Sequence, residues 1–190
     1  MRNTITRNAF IADLRQHIAA HCTIVSETFS ALTDDALGWQ PQKNSKMEWS
    51  ILHCLAHLNL THDYYMAKIE TILADVSQQH NGMVDGYRAS FWGGIYMHFA
   101  LNPRYTFPSP EPVTPVAQPT RQELALYLAR QDQLLQLFAR VATIDLIRTP
   151  IPIEKFVRFN LGDCLKILVY HDELHIGQAQ RVYEQLPATN

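Results

Sequence analysis

The stretch His171–Gln178, with the sequence HDELHIGQ, decides the fold that the chain can adopt. His171 and His175 are four residues apart, so on a helix they project from one face with about 6 Å between their Cβ atoms. The spacing of the neighbouring apolar residues predicts a helix here, with Asn160 as its N-cap. The two histidines fall on a largely apolar stripe, which also contains Cys164, Leu168, Gln178 and Val182. Two neutral imidazoles buried in this way need hydrogen-bond partners or a metal ion. The alternative interpretation is that the two histidines lie on the solvent-exposed surface of the helix and have no such role.

Three further segments show the same amphipathic spacing, which predicts an all-α fold, a four-helix bundle. The four long helices are expected to begin near Thr6, Ser50, Thr120 and Leu161. Ser50 is a suitable N-cap, and Thr120 with Glu123 matches the pattern of a capping box. Strand-like alternation of polar and apolar residues is not seen, so no sheet is expected.

The connection between the second and third long helices, residues 77–119, is predicted to be long, irregular and proline-rich. Within it Phe91–Leu101 is expected as a short helix, although two glycines weaken it. The aromatic content of the connection predicts that it packs on the bundle, where it could cover a pocket. Elsewhere, the first helix is expected to reach about Leu32 and the second about Val76, with a short extended piece at 156–159.

The composition is that of a soluble globular protein and excludes several classes of function. The chain has 190 residues, a length that predicts a single domain over residues 1–190, and a formal net charge of −2. This charge gives no reason to expect nucleic acid or an anionic membrane as a partner. No apolar run approaches the roughly 20 residues of a membrane span, and the N-terminus lacks the apolar core of a signal peptide. Three widely spaced cysteines predict reduced thiols, a cytoplasmic location and no four-thiolate zinc site.

Among the other histidines, His57 is the best placed to join the pair. It lies at the margin of the apolar stripe of the second helix, with Tyr64 and His53 close by in angle. A side chain at such a position can reach a cavity between helices. Four other histidines are weaker candidates. His17 and His21 are four residues apart beside the first apolar stripe and are expected in a solvated or edge position. His62 falls on another side of its helix, and His98 is a spare candidate.

Two groups of motifs in this chain resemble the two signatures of the DinB-like superfamily. The first is Leu32–Pro41 followed by Trp49–Ile51 and Leu55–Leu58, and the second is Leu161–Asp163 followed by His171, His175 and Gln178. These proteins, which include the bacillithiol and mycothiol transferases, are four-helix bundles that bind a divalent metal ion. The family pattern takes one ligand from the second helix and an H-x-x-x-H pair from the last. The resemblance therefore implies that His57, His171 and His175 are the metal ligands.

Three imidazoles would leave coordination positions open for water or substrate, as in catalytic metal sites, whereas structural zinc sites are closed by four protein ligands. Zinc or nickel suits such a set best. Gln178 and Tyr64 are expected as residues that line the pocket and could orient a ligand, although both could equally be satisfied core groups. No Glu occupies the second position of the H-x-x-x-H motif, so a zincin-type protease is not expected.

These features predict a divalent-metal-binding protein, and the resemblance suggests an enzyme that activates a low-molecular-weight thiol, in the manner of an S-transferase. A metal-dependent hydrolase of a small substrate is the first alternative, and a non-catalytic, stress-associated metal-binding protein is the second. Catalytic residues beyond the ligands are not identifiable from the sequence. A small-molecule substrate is expected, and the long exposed faces of a bundle are compatible with a homodimer.

Overall fold

A computed structural model describes residues 4–43, 45–75, 84–102, 104–105 and 109–187 of the chain. Over these residues it contains six α-helices and two short β-hairpins, so the predicted all-α fold is confirmed. The helices are α1 (Arg7–Thr23), α2 (Asp34–Gly38), α3 (Ile51–Leu73), α4 (Phe91–Ala100), α5 (Gln122–Arg140) and α6 (Leu161–Tyr183). The strands are β1 (Gln42–Lys43), β2 (Lys46–Met47), β3 (Pro150–Glu154) and β4 (Val157–Asn160).

Three of the four long helices begin at side-chain caps, and two of these, Ser50 and Asn160, are the caps that the sequence predicts. The side chains of Thr6 and Ser50 accept a hydrogen bond from the backbone N–H three residues later. Asn160 forms a full capping box with Asp163. The capping box predicted at Thr120 is wrong, because α5 begins one residue later, after Arg121, and has no side-chain cap. There the backbone carbonyl of Thr120 accepts a hydrogen bond from the N–H of Glu123.

The first and second long helices differ from the prediction at their C-terminal ends. α1 passes into a π-helical segment, Ile24–Phe29, before the expected end near Leu32. After a short turn α2 begins, with Thr33 as its N-cap. α3 ends at Leu73, and Val76, its expected end, lies outside the described residues.

The connection 77–119 is more ordered than predicted where it is described. It contains α4, as expected, and a single 3-10 turn at Glu111–Val113. Asp163, in the first turn of α6, accepts hydrogen bonds from the Tyr87 hydroxyl (3.0 Å) and from the Ser90 backbone N–H. A Cβ atom added to Gly93 would lie 2.2 Å from an oxygen of this carboxylate, so glycine permits the close approach of α4.

The two hairpins are the part of the fold that the sequence did not predict. β3 pairs with β4 in antiparallel register, with Ile151 opposite Phe159, and the pair leads directly into α6. The extended piece expected at 156–159 is thus one strand of this hairpin. β1 and β2 pair over two residues each.

α3 and α6 form the centre of the bundle and make its most extensive contact. Both are buried over much of their length, whereas α1 and α5 pack with one face against them. Polar side chains on α3 and α6 therefore meet inside the protein, away from solvent. In the described part of the chain, no helix has both the length and the apolar character needed to cross a membrane.

Candidate metal centre

His57, on α3, faces His171 and His175, on α6, in the middle of the bundle. One ring nitrogen of each lies within 4.8 Å of the other two, and the ring centroids are 4.6–5.0 Å apart. The Nε2 atoms of His57 and His171 are 3.4 Å apart. The structure therefore brings together the three histidines that the family resemblance selected, in a group able to bind a metal ion.

The hydrogen bonds of His57 direct one nitrogen toward the other two rings. Its Nδ1 donates to the backbone carbonyl of Val113 at 2.7 Å, and the hydroxyl of Ser109 lies 3.2 Å from the same atom. A neutral imidazole that keeps its proton on Nδ1 has its lone pair on Nε2. Part of the proline-rich connection thus packs on the site and sets the tautomer of one candidate ligand.

His175 is held in the same way by its own helix. Its Nδ1 donates to Oε1 of Gln178 at 2.9 Å, one turn later, which leaves the lone pair on Nε2. His171 differs, because its buried Nδ1 has no hydrogen-bond partner among the described residues. In the metal-free protein His171 can donate from Nε2 to His57, and its Nδ1 lone pair then stays buried and unpaired.

Burial keeps all three imidazoles neutral near pH 7. It lowers the pKa of His57, although the hydrogen bond to Val113 opposes this effect. Burial lowers the pKa of His171 well below the ordinary value of 6.5, and the neighbouring rings of His175 and His57 lower it further. The pKa of His175 falls to about 4 for the same main reason. Neutral rings are the form that binds a metal ion.

The donor set fits a late first-row divalent ion. At Zn–N distances of about 2.0–2.1 Å, two ligand nitrogens of a tetrahedral site lie about 3.3–3.4 Å apart, which matches the 3.4 Å between His57 and His171. Among the described residues, no carboxylate or thiolate completes the group as a fourth ligand. The ring of Trp49 lies 5.0 Å from His57 and 5.7 Å from His175 by centroids, and so forms an apolar wall beside them.

Of the other predicted candidates, Gln178 lies beside this group through its hydrogen bond to His175, and the rest are separated from it. The Tyr64 hydroxyl instead points to the carbonyl of Ile153 on β3, at 3.5 Å. His53 bonds Ser50 and the carbonyl of Ala117. His98 is exposed on α4.

A buried polar network beside the histidines was missed by the sequence reasoning. Asp172, next to His171 on α6, accepts hydrogen bonds from Tyr127 (3.2 Å) and Gln131 (2.7 Å) on α5. His62, on α3, lies 3.2 Å from the same carboxylate oxygen. His62 does lie on another side of its helix, but it is buried there. The local pattern gives no signal for such a network, because its members come from three helices that are distant in sequence.

Of the solvated or edge position expected for His21, the structure excludes the solvated one. Its side chain is only 4% exposed, because α6 packs against the face of α1 that carries it. His17, one turn earlier, keeps a partly exposed side chain and lies 3.1 Å from the carboxylate of Glu173.

Comparison with known proteins supports the resemblance at the level of the family. Searches of curated proteins and of solved structures found no match. The sequence pattern of the DinB superfamily matches residues 13–179, which include all three histidines and most of the chain. Together with the helical fold and the histidine group, this match shows that the chain belongs to the DinB superfamily.

Proposed function

We propose that His57, His171 and His175 bind one divalent ion, zinc or nickel, and that the protein uses it to activate a small thiol for transfer to an electrophile. The observation that supports this proposal is the convergence of three neutral imidazoles without a fourth ligand among the described residues. Such a set leaves coordination positions for exogenous molecules. A divalent ion held in this way supplies acidity, because it lowers the pKa of a thiol or water bound to it.

The protein's own cysteines are poorly suited to be the nucleophile. Burial raises the pKa of the Cys22 thiol to about 11 and that of Cys54 to about 12. Burial also raises the pKa of Cys164 far above its ordinary value. Since the thiolate is the reactive form, these side chains remain protonated and unreactive at neutral pH. A thiol-dependent reaction here would therefore take its sulfur from a small molecule.

The surrounding residues would orient and shield the reactants. Val113 and Gln178 fix the rings of His57 and His175, so their lone pairs are aligned before any ligand arrives. Trp49 covers one side with an aromatic face and limits the access of water. These roles require no protein acid or base, because the proton of an acidified thiol can pass to solvent.

Turnover of a model electrophile tests the proposal. Zinc- or nickel-loaded protein is given glutathione, bacillithiol, mycothiol or coenzyme A, each with a chlorinated dinitrobenzene. In the reaction a C–S bond forms, the C–Cl bond breaks, chloride leaves with the bonding electrons and the thiol proton goes to solvent. We expect metal-dependent turnover with one of these thiols. His175→Ala should abolish it, whereas His98→Ala, at an exposed histidine, should not.

Two other outcomes would replace the proposal. Metal-dependent hydrolysis of an ester or amide, without turnover of any thiol, would make the protein a hydrolase that activates water at the same ligands. Neither activity, in protein that binds one equivalent of metal at these histidines, would indicate a metal-binding protein without catalysis.

A further inference from the structure

We propose that His17, His21 and Glu173 form a second divalent-metal site, at the edge of the bundle between α1 and α6. One ring nitrogen of each histidine and one carboxylate oxygen of Glu173 lie within 4.8 Å of one another. Two imidazoles and a carboxylate are a common ligand set for zinc and for other late first-row ions. This inference does not depend on the proposed function.

The two helices present these side chains to each other by simple periodicity. His17 and His21 are four residues apart on α1 and so share one face. Glu173 lies two residues from both His171 and His175, which turns it about 200° around α6 from either of them. α6 therefore directs its histidine pair toward α3 and its glutamate toward α1.

His21 is the residue that distinguishes this group from an ordinary surface ion pair. Its side chain is 4% exposed, and its Nδ1 is buried without a hydrogen-bond partner among the described residues. A buried polar group left unpaired is destabilising. A contact between His17 and Glu173 alone would leave His21 without a partner, whereas an ion bound by all three residues would use its imidazole as a ligand.

The charge around the group favours a cation. Asp13, one turn before His17, has a carboxylate oxygen 3.8 Å from Nε2 of that histidine. The hydroxyl of Tyr170 donates to Asp13 at 2.8 Å and fixes its position. Burial lowers the pKa of His21, and the negative charges of Asp172 and Glu173 oppose this effect. Acidic groups thus approach the two imidazoles from both helices.

The distances and exposures indicate the kind of site. Nδ1 of His17 and Oε2 of Glu173 are 3.1 Å apart, close to the roughly 3.3 Å between ligand atoms of a tetrahedral zinc site. The side chains of His17 and Glu173 are 29% and 52% exposed. A site with one buried ligand and two solvated ones keeps positions for water, and should bind zinc more weakly than the buried group of three histidines.

Zinc stoichiometry tests the proposal. Protein without an affinity tag, stripped of metal with a chelator, is titrated with zinc chloride by calorimetry, and bound zinc is counted by elemental analysis after dialysis. Glu173→Gln and His17→Ala should each lose one equivalent of zinc relative to the unmodified protein. Glu184→Gln, at an exposed glutamate at the end of the same helix, should lose none. Circular dichroism of each variant checks that the fold is retained, which is expected because both changed side chains are partly exposed.

The outcome can be separated from that of the proposed function. His175→Ala should also lose one equivalent, but from the buried group, and adding Glu173→Gln to it should remove the second. If Glu173→Gln and His17→Ala bind as much zinc as the unmodified protein, the second site does not exist, whatever happens at His175. If His175→Ala alone loses no zinc, the buried group fails while the edge site stands.

Discussion

The molecule contains the pattern H-x-x-x-H three times, and two of the copies, His17/His21 and His171/His175, have different surroundings. His171 and His175 lie in the interior and meet a third imidazole, His57 from α3. His17 and His21 lie at the edge between α1 and α6, and the third member of their group is the half-exposed carboxylate of Glu173. The spacing only places two nitrogens on one helical face. What each pair can bind depends on the atom that faces it from the next helix and on how much water reaches it.

Both groups use α6, and this links them. The helix is buried along much of its length, so some of its polar residues, such as His171 and Asp172, face other helices and not solvent. The consecutive residues His171, Asp172 and Glu173 contribute to the buried histidines, the polar network with Tyr127 and the edge group, respectively. Three successive positions on a central helix can therefore serve three different neighbours.

Loss of a buried histidine should have the largest effect on metal binding. We expect His171→Ala to weaken zinc binding by the group of three histidines more than the 10–100-fold typical for loss of an outer hydrogen bond, because a direct ligand is removed. Competition against a chromophoric chelator would measure the affinity. His98→Ala is the control. Unchanged affinity in His171→Ala would mean that the ion binds elsewhere.

Acid should destabilise the metal-free protein through the buried group. The pKa of His175 is about 4 in the folded protein and 6.5 ordinarily, so between these pH values the unfolded chain binds a proton that the folded chain does not. The free energy of unfolding is therefore highest above pH 6.5 and falls toward pH 4, by up to about 1.4 kcal/mol per pH unit from His175 alone.

Urea unfolding of metal-stripped protein at pH 7 and pH 5 would measure this loss. His175→Gln, which has no group titrating in this range, should show a smaller difference between the two pH values. An equal difference in both proteins would show that His175 does not contribute to the acid sensitivity.

The helices were predictable because their signals are local. Apolar spacing and short caps such as Ser50 and Asn160 lie within a few residues of the helix ends that they specify. The predicted start of α5 at Thr120 is close to the observed one. The Thr120 side chain does not cap the helix, because the N-cap position is occupied by Arg121. Two-residue strands such as β1 carry no periodic signal at all.

The surroundings of the histidines were less predictable because they depend on contacts between distant residues. His57, His171 and His175 were grouped through a family resemblance, and their part in metal binding stays a prediction. A solvated or edge position was expected for His21, and its place on α1 does not show that α6 covers it. The pairing of His62 with Asp172 likewise needs the packing of α3 against α6, which no local pattern supplies.

The smallest effect should come from an outer contact of the buried group, the hydrogen bond between Gln178 and His175. Oε1 of Gln178 accepts a hydrogen bond from the Nδ1–H of His175 and holds that ring with its Nε2 lone pair free. Gln178→Ala should weaken zinc binding by the buried group by about 10-fold, the low end for loss of such a contact, and should leave the edge group unchanged. Gln180→Ala, at an exposed glutamine on the same helix, is the matched control.

Because Gln178→Ala retains all three imidazoles, its zinc stoichiometry should not fall. A loss of one whole equivalent would instead mean that Gln178 is itself a ligand, and the buried group would then be closed by four protein side chains, which would argue against an open catalytic site.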